Sequence, residues 1–201
     1  MKQHSSSCVQ NQAPILKIIK PLLLEKHTVL EVGSGTGQHA IYFAEKMPHL
    51  SWQASDQVQY LSSVNAWINE AKLNNTPPAI NLDVTQAWPA LEFDVIFSAN
   101  TTHIMSWEMV VDFFQGVGKS LSENGLFILY GPFNYNAQYT SQSNANFDQW
   151  LKDRDRQSAI RDFEKLNTLA QQAGLILMND YAMPANNRIL VWQKKSNFLL
   201  I

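Results

Sequence analysis

An apolar, β-branched run, Thr28-Val29-Leu30-Glu31-Val32, ends in three glycines at alternate positions, Gly33, Gly35 and Gly37. Behind them Ala40, Ile41, Phe43, Ala44 and Met47 recur at helical spacing. Strand, glycine turn and helix in that order form the opening unit of an α/β sheet that binds a nucleotide-like ligand. A ligand lies against bare backbone only where no Cβ intervenes, and the turn itself favours residues that accept φ > 0. A dinucleotide fingerprint would carry its third glycine three residues after the second, and Gln38 stands there instead. A different Rossmann-like ligand or a purely structural turn are the alternatives, although chain reversal alone has little need of three alternating glycines.

Two more acids stand at expected strand ends. Residues 51–56 read as a second strand closing on Asp56, about twenty residues past the last glycine, where a carboxylate suits a ribose diol because it accepts two hydrogen bonds side by side. Asp56 is equally placed to cap the following helix. Residues 79–84 read as a third strand closing on Asp83 and Val84, with a solvated turn as the plainer role for Asp83. The pattern E-x-G-x-G-x-G from Glu31 to Gly37 resembles the first motif of class I S-adenosylmethionine-dependent methyltransferases. That resemblance implies S-adenosylmethionine as cofactor, S-adenosylhomocysteine as product and no metal. It places Glu31, Gly33, Ser34, Gly35, Thr36 and Gly37 at the methionine part, Asp56 at the ribose, Asp83 and Val84 near the adenine, and Asn100 beside the cofactor.

The rest of the chain alternates as a parallel sheet requires. A helix carries Leu61, Val64, Trp67, Ile68 and Ala71, and Pro77-Pro78 ends that segment. A fourth strand over 93–98 precedes a helix with Val110, Phe113, Phe114, Val117 and Leu121, for which Ser106 is the natural N-cap. Glu123-Asn124-Gly125 reads as the turn into a fifth strand over 126–130. The last helix presents Ile160, Phe163, Leu166, Ala170 and Ala173, with Gly174 at C′. Closing strands over 175–178 and 188–192 are joined by a turn so short that they must pair antiparallel. The expected fold is therefore a Rossmann-like, seven-stranded, mostly parallel sheet with an antiparallel last strand and helices on both faces. Residues 1–201 read as one domain, with a mobile polar tail over 1–12, an amphipathic helix from Pro14 to Leu24, and a lid over 134–158.

Charge and composition exclude some partners. The formal net charge is −2, from 15 basic and 17 acidic side chains, with no basic stripe for nucleic acid. Lys17 and Lys20 interrupt the apolar run near the N-terminus, so neither a signal peptide nor a membrane span is expected. The lone Cys8 cannot form an internal disulfide, which points to the reducing cytoplasm.

Ligands of an open parallel sheet bind beyond the carboxyl ends of its strands. Past strand four lies Ser98-Ala99-Asn100-Thr101-Thr102-His103, which lacks the Asn/Asp-Pro-Pro-aromatic tetrapeptide of enzymes that methylate base amino groups. His103, on that edge and titrating near neutrality, is the candidate general base, with Asn100 beside it, and a buried structural histidine is the alternative. His39 is expected to support the glycine loop. Past strand five, Tyr130 and Phe133 lead into about twenty-five residues where two to six would serve, and this excess reads as a lid. Ser141, Asn144 and Arg154 in the lid, with Asn186 and Asn187 in the final turn, are the candidate substrate contacts, although charged runs and turn amides commonly serve only local structure.

Several segments together resemble the methyltransferase-like protein 26 family: Asn11 to Leu16, Glu31 to Ala40, Trp52 to Asp56, Asn100 to Ile104, Tyr130 to Phe133, Ser141 to Asp148, Arg154-Asp155, Ile160 to Asp162 and Met183 to Asn187. Gln12 departs from the basic residue common before Pro-Ile-Leu in that family. The resemblance implies an S-adenosylmethionine-binding domain and leaves the acceptor open. The leading expectation is methyl transfer to an oxygen or nitrogen of a small polar molecule or a side chain. A non-catalytic cofactor-binding module acting through a protein partner is the alternative, and a nicotinamide-dependent dehydrogenase is opposed by Gln38.

Overall fold

A computed structural model describes residues 2–196. Helix α1 (Ser6–Leu22) leads into β1 (Thr28–Val32), α2 (Gln38–Lys46), β2 (Ser51–Asp56), α3 (Leu61–Ala71) and β3 (Ile80–Asn81). Then come β4 (Phe93–Ala99), α4 (Trp107–Ser120), β5 (Leu121–Gly131), β6 (Phe133–Asn134), α5 (Gln142–Arg154), β7 (Arg161–Asp162), α6 (Phe163–Gln172), β8 (Leu175–Ala182) and β9 (Arg188–Lys194). Seven strands make one sheet in the order β3-β2-β1-β4-β5-β9-β8, and β6 and β7 pair separately. Only β9 runs against its neighbours; the other pairings in the sheet are parallel. The expected fold class holds.

Alternation along the strands sorts the core into two layers. Val29, Val95, Ile128 and Val191 point to the side covered by α1, α2 and α3, where Ile15, Ile19, Phe43 and Val64 meet them. Leu30, Ile96, Phe127 and Leu190 point to the other side, against Phe113, Phe114 and Leu166 of α4 and α6. Local signals hold where they were legible. The Ser106 hydroxyl accepts the Met109 N–H at 3.2 Å, capping α4, and Gly174 takes φ +81° just past α6.

Four boundaries differ from the sequence reading. The stretch taken as a mobile tail is helical from Ser6, and α1 runs through Pro14 instead of starting there. Proline suits a first helical turn, which is why it reads as a start; inside the helix it merely withholds one N–H from the Gln10 carbonyl. Asn124 and Gly125 fall inside an irregular β5 that begins at Leu121, and the third strand keeps only two residues. Ile160, Arg161 and Asp162 precede α6: Arg161 pairs with Phe133 and Asp162 with Asn134, closing the base of the loop that carries α5. No helix among the described residues is long and apolar enough to cross a membrane.

Candidate active site

The carboxyl ends of β1, β2, β4 and β5 open into a cleft of ≈ 970 Å³. The glycine loop forms its floor. The N–H groups of Gly33 and Ser34 both donate to the Ser55 carbonyl, at 3.0 and 2.9 Å, tying the loop to β2. All three glycines take positive φ, each for its own reason. A Cβ at Gly33 would stand 2.5 Å from Thr101 Cγ2, and one at Gly37 would stand 2.9 Å from the Val64 Cα of α3. At Gly35, which borders the cleft, a Cβ would meet nothing within 4 Å. Gly37 therefore packs against α3 and does not border the cleft, and Gly35 is the place where bare backbone faces it. Gly35→Ala is expected to cost about 1–2 kcal/mol of stability, from φ alone. Gly37→Ala adds a clash against backbone, for roughly 2–5 kcal/mol in total. Equal urea midpoints for the two variants would contradict this assignment.

The three strand-end acids have separate environments. Glu31 lies beneath the loop and not at the cleft: it is buried, its Oε2 accepts the Trp52 indole N–H at 2.9 Å, and burial pushes its carboxyl up to about 7. Asp56 borders the cleft. Its Oδ2 accepts the Gly35 N–H at 2.6 Å and its Oδ1 the Gln57 N–H at 2.8 Å, while burial raises its pKa against those two bonds. Asp83 does not border the cleft. Its Oδ1 accepts the N–H and hydroxyl of Thr85, which hold the carboxyl below its ordinary range, and its Oδ2 accepts from Gln57 at 3.2 Å. It acts as a turn residue behind Gln57, while Val84 lines the cleft.

One wall went unread in the sequence. Ser5, Cys8, Asn11 and Pro14 of the N-terminal segment line the cleft beside the glycine loop. Gln38 accepts the Ser5 N–H at 2.5 Å and the Thr36 hydroxyl at 3.0 Å, and His39 Nε2 meets Asn11 Oδ1 at 2.6 Å. His39, expected to support the glycine loop, instead stacks on Phe43, ties α2 to α1 and borders the cleft, and burial lowers it to about 4. The signals for this wall were the family resemblance over Asn11 to Leu16 and the one-face recurrence of residues 7/8, 11 and 14/15, visible once 6–22 is known to be helical.

The segment after β4 supplies the far end. Asn100 takes φ +61° and its N–H donates to the Tyr130 carbonyl at 2.9 Å, so the chain turns outward with Asn100, His103 and Tyr130 on the cleft. Arg161 reaches under this turn and donates to the carbonyls of Thr102, Met105 and Gln157. It is a staple, not a surface pair. His103 is buried, with Phe147 edge-on at 5.3 Å. Its Nδ1 is sealed off without a partner; its Nε2, also unpartnered among the described residues, remains open. Burial, assisted by the Arg161 charge, lowers the ring to about 4, so it is neutral at physiological pH.

Helix α5 covers this end. The Ser141 hydroxyl caps it by accepting the Asn144 N–H at 3.1 Å, and Asp148 fastens it. Buried Asp148 accepts from Tyr139 at 2.6 Å, Lys152 at 2.5 Å and the Ile160 N–H at 2.6 Å. Burial raises its carboxyl, but those three donors outweigh it and hold it below the ordinary range. Asn144 Nδ2 donates to the Asn186 carbonyl at 3.2 Å, and Asn186 Nδ2 to Ser143 Oγ at 3.2 Å, so the helix meets the final turn. In that turn Ala185 and Asn186 both take φ +56°, and Ala185 and Asn187 border the cleft. Asn144 and Arg154 border it too. Three expected contacts do not: Phe133 is fully buried in the core, Ser141 is spent as a cap, and Asn186 is turned to α5. Among the described residues no three His, Cys, Asp or Glu side chains gather as a metal ligand set.

Solved structures share this architecture. An O-methyltransferase family protein from Burkholderia thailandensis superposes with a TM-score of 0.83 at 13% identity, over 95% of this chain and 58% of that one. The mitomycin 7-O-methyltransferase MmcR gives 0.83 at 12% identity, over 94% and 54%. The S-adenosylmethionine-dependent methyltransferase SibL gives 0.81 at 19%, over 94% and 56%. This chain thus spans a little over half the length of each, and at such identities the likeness establishes the fold. Residues 2–194 match the family described as Protein of unknown function (DUF938). The chain belongs to that family, and it carries the Rossmann-like fold of class I S-adenosylmethionine-dependent methyltransferases.

Proposed function

We propose that this protein is an S-adenosylmethionine-dependent methyltransferase acting on an oxygen or nitrogen nucleophile of a small acceptor held under α5. One observation carries the reading: a single cleft is bordered by the bare backbone of Gly35, the Asp56 carboxylate and the His103 ring. The cofactor end fits its ligand chemically. Asp56 lies buried at the cleft, and both of its oxygens keep a lone pair beyond those given to Gly35 and Gln57, enough for a ribose diol. The likeness to O-methyltransferases favours oxygen over nitrogen as the acceptor atom. The resemblance to methyltransferase-like protein 26 supports the same cofactor.

Bound there against Gly35 and Asp56, S-adenosylmethionine would supply a sulfonium methyl group for transfer, the C–S electron pair remaining on sulfur. The chain's own part is alignment, exclusion of water and removal of one proton. His103 Nε2 accepts the hydroxyl hydrogen bond and takes the proton as the oxygen's new bond makes that proton acidic. Helix α5, latched by Asp148 and Asn144, covers the reacting end.

Thermal denaturation tests the cofactor. A ligand at a hundred times its dissociation constant adds about 2.7 kcal/mol, which for a domain of this size raises Tm by roughly 5–10 °C. S-adenosylmethionine and S-adenosylhomocysteine should give that shift, NAD and ATP none. No shift with either sulfur compound would reject the reading.

A further inference from the structure

Helix α5 turns its one aromatic face to the cleft. Phe147, Trp150, Leu151 and Arg154 follow the i, i+3, i+4, i+7 spacing of a single face, Asn144 lies three residues before Phe147, and all five border the cleft. The aromatic groups form a row. The His103 ring lies edge-on to Phe147 at 5.3 Å, Phe147 stacks on Trp150 at 5.7 Å with 19° between planes, and the Arg154 guanidinium carbon is 4.5 Å from the Trp150 ring. At the same mouth Trp150 is 49% and Ile104 58% exposed. Large apolar side chains left open around a cleft are surface that a flat apolar ligand covers. Among the described residues Arg154 is the only Lys or Arg side chain on the cleft, and no carboxylate pairs with it. A guanidinium lying on an indole keeps its in-plane N–H donors free for a carboxylate.

We propose that the acceptor is a hydroxylated aromatic acid, its ring along the edges of Phe147 and Trp150, its carboxylate on Arg154 and its hydroxyl at His103. This rests on the methyltransferase reading above and names the substrate class. Phe147 and Arg154 are seven residues apart, about 10 Å along the helix axis, which sets the span from hydroxyl to anion. 4-Hydroxycinnamate is a probe of that length, and 4-hydroxybenzoate is shorter. In the step itself the phenolic oxygen gains the methyl group, its proton passes to His103 and then to water, and the C–S electron pair stays on sulfur.

The test is calorimetry on the full chain, first titrated with S-adenosylhomocysteine and then, once saturated, with 4-hydroxycinnamate, its methyl ester and 4-hydroxybenzoate. The acid should bind at least about tenfold more tightly than its ester and than the shorter acid, by the worth of one charge-assisted pair. Arg154→Gln should lower the affinity for the acid about tenfold and leave the ester unchanged, whereas Trp150→Ala should weaken both. Both side chains are exposed, so neither variant threatens folding. S-adenosylhomocysteine binding without any aromatic acid, equal binding of acid and ester, or indifference to Arg154→Gln would each overturn the acceptor class alone. Failure of S-adenosylhomocysteine to bind would overturn the methyltransferase reading, and the acceptor class with it.

Discussion

Replacing His103 by alanine should lower methyl transfer about 100-fold while leaving S-adenosylmethionine affinity within about twofold. General bases contribute roughly 10²–10⁴-fold, and a base works best when its pKa matches the working pH. Burial and the Arg161 charge hold His103 at about 4, so its share belongs at the low end of that range. An ordinary histidine would put an acid limb near 6.5 in the rate. Here the rate at saturating cofactor should stay level from pH 8 to below pH 6 and fall only as pH approaches 4. A limb near 6.5 would contradict the lowered basicity of His103, and an alanine variant of full activity would remove it from the reaction.

The same shift carries a sign for stability. Between 6.5 and 4 the unfolded chain binds a proton that the folded His103 refuses, so its contribution is present above 6.5 and lost as pH falls towards 4. Glu31 acts oppositely: its pKa is raised from 4.5 to about 7, so its contribution is full below 4.5 and lost as pH rises through 7. Denaturation of Glu31→Gln across that range should show less loss of stability towards neutrality than the parent protein.

Asp56→Ala should weaken S-adenosylmethionine binding roughly ten- to hundredfold, the worth of about 1.5–3 kcal/mol of charge-assisted hydrogen bonds. Two effects coincide there. The carboxylate borders the cleft, and it also holds the Gly35 N–H at 2.6 Å, so its removal loosens the loop that the ligand lies on. Asp56→Asn keeps one carbonyl oxygen and should fall between alanine and the parent. Asp83→Ala should cost much less, because that carboxylate is engaged by Thr85 away from the cleft. Calorimetry that ranks Asp83 above Asp56 would overturn the ribose assignment.

The sequence by itself determined what local chemistry dictates. Three alternating glycines after an apolar strand fixed the loop, Ser106 and Gly174 fixed helix ends, and the short turn before Arg188 forced the antiparallel pairing of the closing strands. Such signals act within a few residues, where sterics and capping hydrogen bonds leave little choice. Only the tertiary structure decided which of two similar residues borders the cleft. Phe133 and Phe147 lie in one aromatic-rich stretch, yet the first is in the core and the second on the cleft; Asp56 borders the cleft while Glu31 lies beneath it. The wall from α1, the basicity of His103 and the staple by Arg161 were also out of reach. Each depends on burial or on partners tens of residues away, and neither periodicity nor residue type along a strand or helix encodes which distant surface will cover it.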